Sequence, residues 1–111
     1  IETPMNKKII LGSGGSKRIR SSLVQVISNL IDFKMDLSTA VHSPRINWDG
    51  HALHIEKGFR PEEILKLNKK VNTNQWEGLD FFFGGVHCID THLKKAVGDT
   101  RRGGCGLVLK Y

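Results

Sequence analysis

The chain has 111 residues, of which 39% are hydrophobic and 25% are charged, and its formal net charge is +6. This size and composition predict one globular domain, or part of one, with a modest core. No run of 18 apolar residues is present, which argues against a membrane span. The basic residues are scattered and lack the interleaved aromatics that stack bases, so we expect no nucleic-acid partner.

A glycine turn, Leu11-Gly12-Ser13-Gly14-Gly15-Ser16, separates an apolar strand over residues 7–11 from an amphipathic helix over about 16–33. Ser16 is a suitable N-cap for that helix. Gly14 and Gly15 carry no side chains, so their backbone N–H groups can approach a ligand closely. The first N–H groups of a helix also lack internal partners. The turn therefore predicts an anion site.

Three cations, Lys17, Arg18 and Arg20, follow at once. Each is unfavourable near a helix N-terminus by about 0.3 to 1 kcal/mol unless an anion balances it. A bound carboxylate, phosphate or oxyanion would do so, and the alternative is that the side chains extend into solvent. The turn matches neither a dinucleotide loop nor a P-loop, and it is not the GxSxG elbow of serine hydrolases.

Local signals predict the elements that follow. Asp36 caps a short helix that Pro44 ends, and Asp49-Gly50 joins two strands. Pro61 opens a third helix with acidic residues first and basic residues last. The predicted ranges are helices 37–42 and 61–70 and strands 46–48, 53–56, 81–89, 96–97 and 107–109, with residues 81–89 buried on both faces.

The five histidines do not suggest a metal site. His51 and His54 are three apart on a predicted strand and face opposite sides, and His87 and His92 flank Cys88 without zinc-ligand spacing. Surface or hydrogen-bonded histidines are the favoured interpretation, and we expect no metal and no cofactor. Cys88 and Cys105 either pair or stay free.

Several motifs in register give the chain a family resemblance. Residues 12–15, 29–45, 54–59, 84–87 and 98–104 occur in an order that resembles the C-terminal part of the small subunit of gamma-glutamyltranspeptidases. The resemblance implies an α+β fold of the N-terminal-nucleophile hydrolase type, an αββα sandwich of which residues 1–111 are a part. It also implies a precursor that cleaves itself to expose a threonine nucleophile.

In that family the threonine attacks a gamma-glutamyl amide, such as glutathione, and the acyl group passes to water or to an amino acid or peptide. The resemblance assigns Gly14 and Gly15 to the oxyanion hole. In relatives that depolymerise poly-gamma-glutamate, arginines near the glycine pair and the chain end hold the substrate. Arg18, Arg101 and Arg102 occupy those positions.

The resemblance implies two protein partners, the large subunit and the upstream part of the small subunit, and a periplasmic, secreted or outward-facing location. The chain departs from the family in lacking a proline before the glycine pair and in having Thr100 where proline is common. It holds no threonine nucleophile, so alone it should be inactive. The alternatives are a poly-gamma-glutamate depolymerase, a beta-lactam acylase relative, a non-catalytic domain that binds acidic ligands and, least favoured, a basic nucleic-acid module.

Overall fold

A computed structural model describes residues 1–110 and contains two three-stranded sheets. In the first sheet, β1 (Ile9–Gly14) pairs antiparallel with β5 (Gly85–Asp90), which pairs antiparallel with β6 (Lys95–Val97). One face of this sheet is covered by α1 (Ile19–Ile31) and α2 (Leu37–His42). This layered α+β arrangement agrees with the expected fold class.

The core lies between that sheet and the two helices. Alternation along each strand directs one set of side chains inward, so Leu11 packs against the core while Ile10 and Ile89 remain 59% and 49% exposed. The helices contribute the apolar faces expected from their sequence periodicity. The buried cluster consists of Val26, Leu37, Ala40, Val41, Val86 and Cys88.

The second sheet is smaller and follows the predicted hairpin. β2 (Ile46–Trp48) pairs antiparallel with β3 (Leu53–Ile55), and β3 pairs in parallel with β4 (Thr73–Gln75), which lies beyond α3 (Pro61–Asn68). Asp49 closes the hairpin by accepting hydrogen bonds from the N–H groups of His51 and Ala52 at 2.7 and 2.8 Å. The Asp36 cap is also confirmed, since its carboxylate accepts from Thr39 N–H at 3.3 Å.

The start of the first helix differs from the prediction. β1 continues through Gly14, and a 3₁₀ turn over Ser16–Arg18 precedes α1. Ser16 is therefore not the N-cap. Its φ is +54°, its hydroxyl makes no capping bond, and Gly15 precedes the turn as cap. The glycines let the strand turn sharply before the helix begins.

Two predicted strands are also wrong. Phe81–Phe83 forms a 3₁₀ helix capped by Asp80, so β5 begins only at Gly85, and the alternating exposure of β5 shows that one of its faces is open. No strand forms over residues 107–109, whereas β4 was not predicted. A further 3₁₀ turn covers Thr100–Arg102. None of the helices within residues 1–110 is long and apolar enough to cross a membrane.

Candidate active site

The turn that joins β1 to α1 has two consecutive residues with positive φ. Gly15 has φ +131° and Ser16 has φ +54°. Residues with a side chain rarely adopt either φ value. Two such residues in succession rotate their backbone N–H groups away from the sheet. Within residues 1–110, neither the Gly15 N–H nor the Ser16 N–H donates to a protein acceptor. Two backbone donors are thus free at the start of the helix.

Strand register determines which glycine N–H is free. Thr91 N–H donates to Lys8 O, and Ile9 exchanges both of its hydrogen bonds with Ile1, on the other side of β1. Because hydrogen-bonding direction alternates along a strand, Lys8 and Gly14 face β5 while Ile9 faces away. Gly14 lies opposite Gly85. Its N–H therefore belongs to the sheet, whereas Gly15 follows the end of the strand.

Arg102 lies beside this turn. Its Cζ is 3.5 Å from the centroid of the Phe81 ring, and a β-carbon on Gly15 would stand 3.0 Å from Arg102 Nη2. The Arg102 Nε is buried and has no hydrogen-bond acceptor among the described residues. The guanidinium is held by an aromatic face and not by a carboxylate, so its charge remains available to a ligand.

Arg18 occupies the other side of the turn in a similar way. Its Cζ lies 4.1 Å from the centroid of the Phe82 ring, and its buried Nε also lacks an acceptor in the part of the chain that the structure describes. Gly84 lies next to Arg18, and its φ of +76° is a backbone conformation that residues with a side chain rarely adopt. Two partly buried arginines therefore flank the free N–H groups.

Arg101 has a different environment. Its guanidinium is fully buried and donates to Glu56 at 2.7 and 2.8 Å, to the carbonyl oxygens of Val41 and Ser43 at 2.8 Å, and to Asp99. All its donor groups are engaged within the chain. Of the three arginines expected at the substrate, the structure brings Arg18 and Arg102 to the turn and places Arg101 in the interior.

Arg101 is part of a buried network that also contains Arg45, Glu56 and Asp99. Arg45 Nη2 contacts Asp99 Oδ2 at 2.8 Å, and both side chains are almost completely inaccessible. Burial alone would raise the pKa of Asp99, but the hydrogen bond from Val86 N–H and the charge of Arg45 hold that pKa below its ordinary value. The network contains two cations and two anions, so its buried charges are balanced.

This network fixes the loops that bear the candidate site. Arg45 donates to the carbonyl oxygens of Phe83 and Gly84 at 3.3 and 3.2 Å, and Glu56 accepts from Asp80 N–H at 3.0 Å. Asp99 accepts from Arg101 N–H at 3.0 Å within the 3₁₀ turn that ends at Arg102. Asp99 and Arg101 therefore brace this turn as a buried pair.

The histidines fulfil structural roles. His54 Nε2 contacts Asp49 at 2.7 Å and its Nδ1 accepts from Trp76 Nε1 at 3.1 Å. His87 Nδ1 accepts from Asp99 N–H, and His42 Nε2 from Thr100 N–H. Three of the five histidines are thus hydrogen-bonded through their rings, and the exposed His51 and His92 lie at the surface, in agreement with the expectation of surface or hydrogen-bonded histidines. In the described part of the chain, no cluster of His, Cys, Asp and Glu could hold a metal, and both cysteines are free.

The sequence did not indicate that Phe81 and Phe82 belong to the candidate site, because they were predicted to lie in a buried strand. It also predicted Ser16 only as a helix cap. Three consecutive aromatics next to Gly84-Gly85 were the available signal. The sequence alone does not show that two of these rings each support an arginine, because the arginines lie far away along the chain.

The family model described as Gamma-glutamyltranspeptidase matches residues 2–109. The chain belongs to the gamma-glutamyltranspeptidase family. This family consists of hydrolase and transferase enzymes.

Individual relatives agree with this assignment. The chain is similar to the glutathione hydrolase proenzyme of Escherichia coli K12, with 33% identity over 64 residues, 56% of this chain and 11% of the relative. It is 43% identical over 56 residues to the acylase ACY 1 proenzyme of Pseudomonas sp. strain V22, which covers 50% of this chain and 10% of that protein.

A solved structure extends the likeness to the fold. An acivicin-inhibited gamma-glutamyltranspeptidase superposes with a TM-score of 0.74 at 26% identity, over 93% of this chain and 58% of that chain. The neighbouring structures have the N-terminal-nucleophile hydrolase fold, as expected. The gamma-glutamyltranspeptidase-family chain described here therefore spans about a tenth of the curated proenzymes and somewhat more than half of the matched structure's chain.

Proposed function

We propose that this chain supplies the oxyanion hole of an enzyme that cleaves gamma-glutamyl amides of the glutathione class and transfers the acyl group to water or an amino acid or peptide. The donors are the N–H groups of Gly15 and Ser16. This moves the expected pair, Gly14 and Gly15, by one residue, because the Gly14 N–H faces β5. The pair of unpartnered N–H groups is the observation that carries the proposal.

The proposed donors stabilise charge that develops during the reaction. When a nucleophile attacks an amide, the carbonyl oxygen gains negative charge, and donors already fixed in place stabilise it without reorganising. The Gly15 and Ser16 N–H groups are held by a strand on one side and a helix on the other. We propose that the threonine nucleophile comes from the upstream part of the small subunit and that a large subunit completes the enzyme.

Arg18 and Arg102 are proposed to bind the substrate carboxylate. Neither forms an ion pair with an acid within residues 1–110, and each is immobilised against a phenylalanine ring. A guanidinium that is already ordered loses less entropy when it binds a carboxylate. Arg101 is proposed to position Arg102 through Asp99 and not to contact the substrate.

The oxyanion assignment can be tested in the full-length enzyme with a chromogenic gamma-glutamyl anilide. Removal of one such donor typically lowers kcat by about 10² to 10³, so we expect a loss of that order when Gly15→Ala distorts the turn. Gly14→Ala is the matched control, because its added β-carbon would meet nothing within 4 Å. Equal effects of the two variants would contradict the assignment.

The arginine roles need a comparison of two substrates. We expect Arg18→Ala and Arg102→Ala to raise KM for a gamma-glutamyl anilide with a free α-carboxylate and to leave KM for its α-carboxamide nearly unchanged. Arg20→Ala, which removes an exposed cation in the first turn of α1, should change neither. An identical rise in KM for both substrates would contradict the proposal that these arginines bind the α-carboxylate.

The similarity to an acylase proenzyme favours one second candidate, in which the full protein cleaves other acyl amides. The same experiment distinguishes the two candidates. A gamma-glutamyl enzyme should prefer the free α-carboxylate strongly, whereas an acylase for uncharged side chains should not. Two arginines without acidic partners beside the turn support the first candidate.

A further inference from the structure

A cluster of aromatic rings connects the second sheet to the candidate site. At its centre is Phe82, whose ring centroid lies 4.9 Å from that of Trp76 in a stacked pair and 4.6 Å from that of His54 in a tilted pair. Trp76 also meets the buried Phe83 edge-on, with centroids 5.5 Å apart. The same Phe82 ring lies under Arg18, whose Cζ is 4.1 Å from the ring centroid. An arginine of the candidate site thus rests on a ring that the second sheet holds.

Trp76 is fixed by both its backbone and its indole. It follows β4 directly, and its N–H donates to Ile55 O at 2.8 Å, which continues the pairing of β4 with β3. Its indole Nε1–H donates to His54 Nδ1 at 3.1 Å. A buried or half-buried indole usually finds such an acceptor, which then orients the ring plane. The Trp76 ring is therefore held in the orientation in which it stacks on Phe82.

His54 can hold the indole in only one form of its ring. An indole N–H is always a donor, so the Nδ1 atom that receives it carries a lone pair. The Asn74 amide Nδ2, a second donor, lies 3.2 Å from the same atom. The proton of the neutral ring is then on Nε2, which lies 2.7 Å from Asp49 Oδ2. Asp49 thereby orients the His54 side chain, which is only 12% exposed.

Asp49 is held in turn by the hairpin that it closes. Its Oδ1 accepts from the N–H groups of His51 and Ala52, which leaves Oδ2 directed at His54. The hydrogen bonds from Ala52 N–H, the His54 ring and His51 N–H hold the pKa of Asp49 well below its ordinary value. The acceptor that orients His54 is therefore ionised at neutral pH.

We propose that Trp76 and His54 are positioning residues for the substrate carboxylate, because they hold the Phe82 ring on which Arg18 is ordered. Arg18 forms no ion pair within residues 1–110, and its buried Nε has no acceptor there. The Phe82 ring is thus the principal partner of its charge. A guanidinium that is ordered in advance loses less entropy when it binds a carboxylate. The inference rests on the proposed function and gives the second sheet a part in substrate affinity.

Trp76→Leu in the full-length enzyme tests this role. The variant removes the stacked ring, so we expect KM for a gamma-glutamyl anilide with a free α-carboxylate to rise about 2- to 10-fold, the factor that corresponds to an aromatic pair. KM for the α-carboxamide and kcat should stay nearly unchanged. Trp48→Leu is the matched control, because Trp48 lies in the same sheet but is 53% exposed, and it should alter neither KM. Equal rises for both substrates, or no rise for either, would overturn the proposal.

A double-variant cycle separates the failure of this inference from the failure of the proposed function. Because Trp76 acts through Arg18, Trp76→Leu should raise KM for the α-carboxylate substrate no further in an Arg18→Ala background. A further rise by the same factor would overturn the positioning role and leave the role of Arg18 intact. If Arg18→Ala itself raised KM equally for both substrates, the proposed function would fail and this inference with it.

Asp49→Asn provides a second test should Trp76→Leu fail to fold. The amide oxygen still closes the hairpin, but the amide N–H now faces His54 Nε2. The ring can accept from it only by moving its own proton to Nδ1, where that proton opposes the Trp76 indole N–H. We expect KM for the α-carboxylate substrate to rise, and Trp76→Phe, which removes the opposing N–H, to cancel the effect of Asp49→Asn. An unchanged KM in Asp49→Asn would overturn the proposal.

Discussion

Gly85 lies against the side chain of Arg102, and a β-carbon on Gly85 would stand 2.4 Å from Arg102 Cγ. Such a contact does not occur between real atoms, so the absence of a side chain at the start of β5 determines where Arg102 lies. The strand and the candidate substrate arginine are thereby coupled sterically. The coupling links the fold of the first sheet to the affinity of the site.

Substitution Gly85→Ala should therefore displace Arg102 from the turn. We expect KM for a gamma-glutamyl substrate with a free α-carboxylate to rise at least several-fold in the full-length enzyme, with a smaller change for the α-carboxamide. Gly12→Ala is the control, since its β-carbon has open space. If Gly85→Ala left both KM values as they were, Arg102 would not be held by this contact in the substrate complex.

Asp99→Asn should destabilise the fold strongly. The substitution removes the charge that faces Arg45 and Arg101 and leaves two buried cations with one anion. Breaking a buried pair in this way typically costs about 3 to 5 kcal/mol of unfolding free energy. The midpoint of urea unfolding measures it, and Glu63→Gln, which breaks an exposed pair with Lys66, should cost less than about 1 kcal/mol. Similar losses in both variants would argue against a role for the network.

The same carboxylate predicts an acid limb in the stability profile. The pKa of Asp99 is lower in the folded protein than its ordinary value of 3.8. The stability it contributes is therefore present above that value and is lost as the pH falls through the lower folded value. The unfolding midpoint of the wild type should decrease steeply below about pH 4, and Asp99→Asn should flatten that decrease. An unchanged slope in the variant would assign acid unfolding to other groups.

Ser16→Gly should stabilise the protein without loss of turnover. The φ of +54° at Ser16 is unfavourable for a residue with a β-carbon, by about 1 to 2 kcal/mol, and the substitution keeps the backbone N–H. The same change at Ser38, within α2, should instead destabilise by about 0.5 to 1 kcal/mol. Urea unfolding and kcat measure the two effects, and a large loss of kcat in Ser16→Gly would give the hydroxyl a catalytic role.

The sequence predicted correctly those helices and strands whose ends are set by residues within a few positions. Asp36 and Pro44 bound one helix, Asp49-Gly50 fixes one hairpin, and Pro61 opens another helix, because each acts within a few residues of itself. The strand predicted over Phe81–Phe83 was wrong because the contacts that shape this segment are not local. Its strand propensity was overridden by stacking with Trp76 and by Arg18, which come from other elements.

The sequence predicted where the candidate site lies but not which backbone donors and arginines form it. The glycine turn and its cations pointed to an anion, and Arg18 and Arg102 lie there. The choice between Gly14 and Ser16 as the second donor depends on strand register, and the burial of Arg101 depends on Glu56, 45 residues away along the chain. Neither relation leaves a pattern in a single sequence.

The buried network has a consequence for the order of synthesis. Arg102 ends the 3₁₀ turn that contains Arg101, and Asp99 and Arg101 bind Arg45 and Glu56, which lie more than 40 residues earlier in the chain. A nascent chain on the ribosome can form the glycine turn early, yet it lacks the second arginine until residue 102 has been synthesised. The candidate site therefore has only one of its two arginines in any product truncated before Arg102.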